Sequence, residues 1–93
     1  MYVIEMIEIL AVLATLSGIM MSFGYLPQIL KMVNRKSSAD VSVATYLVFH
    51  IGLWVWLLYG IALNSIPLII SNGIGVIGTG LVICTYYKYK TMP

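Results

Sequence analysis

Charge is the scarcest property of this sequence: Asp, Glu, Lys and Arg make up 9% of its 93 residues, and there is one cysteine. A water-soluble domain carries about a quarter of its residues charged. Here hydrophobic residues reach 61% and the mean hydropathy is +1.02, so a soluble fold is excluded and a membrane protein is expected. The lone Cys84 excludes an intrachain disulfide scaffold and any multi-cysteine metal site. A formal net charge of +2 is too small and too scattered for a nucleic-acid footprint. No acidic residue lies in Ile9–Leu30 or Val41–Tyr87. That argues against a cation pathway or proton coupling through a buried carboxylate. Neither a cofactor, a metal nor an enzymatic activity is expected.

What remains is two charge-free stretches, and the second is too long for one helix. A bilayer core about 30 Å thick takes roughly 20 apolar residues per span. The polar cluster Asn64, Ser65 and Pro67 divides the second stretch, with Pro67 opening a new helix. The reading is one all-α unit over residues 1–93, with transmembrane helices at about 5–32, 41–63 and 66–87. Lys31, Arg35 and Lys36 in the first loop share a side with Lys88 and Lys90. Glu5 and Glu8 share the other side with the Asn64-Ser65 turn. The positive-inside rule then places the N-terminus outside and the C-terminus in the cytoplasm, with Tyr86, Tyr87 and Tyr89 as an interfacial belt. A cleaved signal peptide is not expected, because the leading region is acidic and no A-x-A site closes the apolar run.

Polar and helix-breaking residues within spans outline the interior, since lipid tolerates them only against protein or a wet cavity. Pro27 has no N–H to offer the carbonyl of Phe23, so a kink is expected one turn before it. Thr45, Phe49, Gly52, Tyr59 and Gly60 fall on the helical stripe of Trp56, whereas Trp54 lies on the far side, facing lipid or a neighbouring helix. Asn72 shares a face with Gly75, Val76, Thr79 and Ile83 near mid-membrane; its spacing alone leaves an interhelical hydrogen bond and a substrate contact equally open. Glycines 73, 75, 78 and 80 give small-residue spacings that are read first as helix packing. His50, the ionisable group well inside a span, is read as neutral and bonded to a neighbouring helix rather than as a proton relay.

Taken together, these features resemble a known family. The three spans, the Tyr25-Leu26-Pro27-Gln28 segment, and the Asn34-Arg35-Lys36-Ser37 loop running into Asp40-Val41-Ser42 are similar to the SemiSWEET sugar transporters, as are Trp56-Leu57-Leu58-Tyr59-Gly60 and Asn72 sixteen residues beyond Trp56. These are bacterial half-size relatives of the SWEET transporters in the PQ-loop group. The resemblance implies a parallel homodimer of triple-helix bundles, first and third helices adjacent, carrying glucose- or sucrose-class sugars as a uniporter by alternating access across a bacterial inner membrane. It implies that Trp56 and Asn72 bind the sugar, that Pro27 and Gln28 form a hinge, that Tyr25, Thr45 and Phe49 narrow the cytoplasmic side, and that Tyr59 narrows the outer side. Membrane lipid and a second copy are the implied partners, with no nucleic acid. Leu63 and Ser65 stand where some relatives place an Arg–Asp closing pair. An amino-acid carrier of the PQ-loop group and a non-transporting small membrane subunit are the rival readings.

Overall fold

The computed structural model describes residues 2–90, all helix and connecting turn, with no strand among them. Four helices follow one another: α1 (Tyr2–Ser22), α2 (Tyr25–Arg35), α3 (Val43–Ala62) and α4 (Ile66–Tyr89). α1 and α2 run on as one path, so three helical stretches, Tyr2–Arg35, Val43–Ala62 and Ile66–Tyr89, are long and apolar enough to cross a membrane. The protein is an all-α integral membrane protein.

The first span extends beyond 5–32 at both ends, and its helix is interrupted one turn before Pro27. It starts at Tyr2, breaks at Phe23-Gly24 and runs on to Arg35. The break follows from Pro27, which cannot donate to the Phe23 carbonyl; Leu26 N–H serves that oxygen instead, at 3.2 Å. A bond to i−3 is tighter than the helical one, and Gly24 likewise donates to Met21 O at 3.0 Å. Pro27 thus becomes the third residue of a new helix, where its missing N–H costs nothing.

The other two connections end helices on a left-handed residue. Asn64 takes φ 54°, with Ser65 N–H donating to Gly60 O (2.9 Å) and Asn64 N–H to Ile61 O (3.1 Å). Lys36 takes φ 50°, and Ser37 N–H reaches Met32 O at 3.2 Å. Pro67 then sits in the first turn of α4, where a fixed φ is pre-organised for helix.

α4 is the centre of the molecule. It packs against α1, α2 and α3, whereas α1 and α3 do not meet, so the spans form a row with the third between the first two. The extents of 61 × 22 × 14 Å describe an elongated slab, wider than it is thick. Close approach within the row depends on small residues. A Cβ on Gly18 would run into Ser71, one on Gly60 into Leu68, and one on Gly75 would stand 2.9 Å from Leu53 Cδ2.

The tightest packing lies at the basic end, where Met32 (1% exposed), Val82 and Tyr89 (8%) form a cluster with Tyr25, Ile29, Val41, Tyr46 and Tyr86 around it. Tyr89 therefore leaves the expected aromatic belt for the core, and Tyr86 is half-buried; Tyr87 alone of the three is exposed. The 36–42 loop causes this by folding over the end of α4, where Ser38 Oγ donates to Tyr86 O at 2.6 Å. Toward the other end the slab is thin, and α1 buries no residue.

Candidate functional site: a half-open aromatic groove

A groove of about 450 Å³ opens on one face of the slab, lined by Tyr25, Phe49, Gly52, Leu53 and Trp56 among others. Two elements build it. α3 contributes Phe49, Gly52, Leu53 and Trp56, residues that return to one side at spacings of three and four. α2 contributes Tyr25, its first residue, placed there by the Phe23-Gly24 break. The Tyr25 ring lies so close over Gly78 that a Cβ there would collide with it, and its edge meets Tyr46 at 6.1 Å between centroids. Gly52, with no atom within 4 Å of where a Cβ would stand, leaves the groove open between Phe49 and Trp56.

Trp56 is 54% exposed, and Tyr59 meets it edge-on at 5.8 Å. Both also border a second shallow groove with Val55. Asn72 lines neither groove. At about 100° per residue it lies within roughly 60° of Gly75 and Thr79, which meet Leu53 and His50 of α3. The contacts Gly75 with Leu53 and Gly73 with Leu57 fix the antiparallel register of α3 and α4, and put Trp56 and Asn72 at nearly the same depth.

The Asn72 amide donates to Leu68 O at 2.8 Å, one turn back on its own helix, so the interhelical bond left open by the sequence is not what it makes here. One N–H is used; the amide oxygen and second N–H make no further hydrogen bond among the described residues. Thr45 is exposed in the first turn of α3, its hydroxyl 2.8 Å from Ser42 Oγ, outside the groove lining. Gln28 lies away from it too, in a separate polar groove with Lys31 and Arg35. Of the eight residues singled out from the sequence, Tyr25, Phe49 and Trp56 share one groove, Tyr59 touches Trp56, and Pro27 explains the break that places Tyr25.

His50 forms a chain of hydrogen bonds that sequence reasoning anticipated only in outline. Trp54 Nε1, a donor only, bonds to His50 Nε2 at 3.0 Å. Nε2 must therefore accept, Nδ1 carries the hydrogen and donates to Thr79 Oγ1 at 2.7 Å, and Thr79 passes its own hydrogen to Gly75 O at 2.8 Å. Thr79 is fully buried, and its hydroxyl also lies 3.3 Å from Val76 O, a second, longer acceptor on the same helix. The Trp54 partner was missed, although the spacing of four on one helix was there to be read.

The fold is a three-span membrane bundle with an uncharged aromatic groove on one face, and its similarity to known proteins makes its class a membrane transporter. Comparison with known proteins gives the family. Residues 8–93 match the family described as sugar efflux transporters for intercellular exchange. The sugar transporter SemiSWEET of Bradyrhizobium diazoefficiens is 34% identical over 65 residues, 70% of this chain and 76% of that one. The SemiSWEET of Leptospira biflexa is 33% identical over 64 residues, 69% and 73% of the two chains. The crystal structure of a bacterial homologue of SWEET transporters superposes with a TM-score of 0.80 at 31% identity, covering 87% of this chain and 98% of that one. The chain belongs to this family of sugar transporters.

Proposed function

We propose that two copies of the chain, parallel in the membrane, form a facilitative uniporter for glucose- or sucrose-class sugars that works by alternating access. The observation that carries this reading is the half-exposed Trp56 on an open mid-span groove in a slab only 14 Å thick. A row of three helices encloses nothing. A second copy related by an axis along the membrane normal turns two open grooves toward one another and makes a closed pathway. In that pathway the indole of Trp56 stacks on the C–H face of a sugar ring, and the free amide groups of Asn72 bond to hydroxyls. Uncharged groups suit an uncharged cargo. A two-fold site cannot match an asymmetric sugar closely, so affinity is weak and selectivity loose, as release requires.

Motion in this reading takes place at the Phe23-Gly24 break, with Pro27 and Gln28 as the hinge that tilts α2 against α1. Tyr25, Thr45 and Phe49 then narrow the pathway at the basic, cytoplasmic end, and Tyr59 narrows it outside, where Leu63 and Ser65 offer no ion pair. The membrane is the bacterial inner membrane, with the N-terminus outside. The test is uptake of labelled glucose and sucrose, with lysine as contrasting cargo, into liposomes holding the wild type or Asn72→Ala, with and without a pH gradient. Sugar uptake that is lost in the variant and indifferent to the gradient is expected. Uptake of lysine alone, or uptake that follows the gradient, overturns the sugar uniporter.

A further inference from the structure

All five basic residues of the chain, Lys31, Arg35, Lys36, Lys88 and Lys90, lie at one end of the molecule, toward the C-terminal ends of α2 and α4 or just after them. Within that end is a groove of about 210 Å³, separate from the aromatic groove, lined by Gln28, Lys31, Arg35, Ser37 and Asp40 together with apolar Met32 and Val41. Its shape comes from α2 and the loop that follows. Gln28, Lys31 and Arg35 recur at spacings of three and four and so share a face of α2, and the left-handed Lys36 turns the chain back so that Ser37 and Asp40 form the opposite wall.

The groove is chemically asymmetric. Arg35 Nη1 lies 3.0 Å from Asp40 Oδ2, the only ion pair among the described residues; both side chains are exposed, and the pair offsets the single negative charge in the lining. A guanidinium has five N–H donors, and one is engaged there. Lys31, one turn before Arg35, makes no ion pair among the described residues. Ser37 Oγ accepts from Ala39 N–H at 3.1 Å and keeps its own hydrogen to donate. The lining thus carries a net charge of one positive unit, several N–H and O–H donors, and an apolar floor of Met32 and Val41.

We propose that this groove binds the phosphodiester headgroup of an anionic phospholipid from the adjoining leaflet. One excess positive charge matches one phosphodiester, the donors match its unesterified oxygens, and the apolar floor suits the glycerol carbons that lead to the acyl chains. Position selects the lipid over a soluble phosphate. The groove lies just beyond the apolar part of the first span, at headgroup depth, where basic pockets between helices take anionic lipids. The proposal requires that the chain span a membrane and is independent of the cargo it carries.

The experiment uses the full chain, released from vesicles of equal phosphatidylglycerol and phosphatidylcholine and weighed with its retained lipid by native mass spectrometry. Wild type, Lys31→Gln and Lys90→Gln are compared; the last loses the same charge outside the groove. A positive charge near an anionic surface favours binding by about five-fold. Retained phosphatidylglycerol should therefore fall about five-fold in Lys31→Gln and stay near wild type in Lys90→Gln. Equal retention of the two lipids by the wild type overturns the proposal. So does an equal loss in both variants, which would mean a diffuse charge effect. Displacement of the retained phosphatidylglycerol by millimolar inorganic phosphate overturns it as well, because the site would then belong to a soluble anion. Circular dichroism of both variants confirms that the exposed Lys31 can be replaced without loss of helix.

Discussion

The indole N–H of Trp54 points at Nε2 of His50 one turn earlier, 3.0 Å away, and by doing so decides which nitrogen of the imidazole carries hydrogen. The consequence is felt on another helix, because Nδ1 must then donate to Thr79 on α4. The chain links α3 to α4 at the fully buried Thr79. Thr79→Val keeps the shape and removes the acceptor, leaving a donor without a partner. The expected cost is about 0.5–2 kcal/mol, the range for interhelical bonds in membranes. Reversible unfolding in detergent measures it, with Thr79→Ser close to wild type. A valine variant as stable as the parent would remove the chain from the account of how α3 and α4 hold together.

Gly78 and Gly73 make a matched pair for testing how Tyr25 is positioned. A methyl group at Gly78 meets the Tyr25 ring, whereas at Gly73 its nearest neighbour is Leu57 Cδ1 at 4.0 Å. Overpacking costs about 1–3 kcal/mol, more than the roughly 1 kcal/mol that alanine gains over glycine in a helix. Gly78→Ala is expected to lose stability and slow sugar uptake by moving Tyr25, while Gly73→Ala is neutral or slightly stabilising. Identical behaviour of the two variants in unfolding and uptake would falsify the assignment.

Pro27→Ala returns an N–H to the helix and allows the Phe23 carbonyl its ordinary partner. If α2 tilts about the Phe23-Gly24 break during transport, straightening that break should slow uptake roughly ten-fold or more and leave cross-linked dimers at wild-type yield. Unchanged uptake would dispose of the hinge.

Trp56→Ala separates the fold from the site. Since Trp56 is 54% exposed, its loss should change stability by about 0.5 kcal/mol or less, as at other exposed positions. Sugar binding measured by calorimetry should fall below detection. Retained binding would show that the indole does not stack on the sugar.

Much of this was legible in the sequence because the bilayer imposes simple rules. The charge-free stretches and the Asn64-Ser65-Pro67 cluster show where α3 ends and α4 begins, since lipid leaves few other ways to place them. Pro27 likewise betrays a break one turn upstream, at the carbonyl it cannot serve. Hydropathy is silent, however, on what a loop does after it leaves the membrane. Tyr89 reads as a belt residue by position and is buried because Ser38 ties the 36–42 loop over the end of α4. Asn72 shows a second limit: side-chain spacing gives its face, but an amide can satisfy itself on its own helix, and Leu68 O does so here. The groove itself arises from Tyr25, α2 and α3 meeting across α4, a relationship over long sequence distance that no local pattern records.

The row of helices also bears on how the molecule is made. Its central member, α4, follows the other helices in the chain. When α1, α2 and α3 have been made they share little beyond the edge of Tyr25 on Tyr46, and the α4 side of each close approach, Ser71 against Gly18, Leu68 against Gly60 and Gly75 against Leu53, is still to come. Packing between the first two spans therefore waits on a helix that neither of them contains.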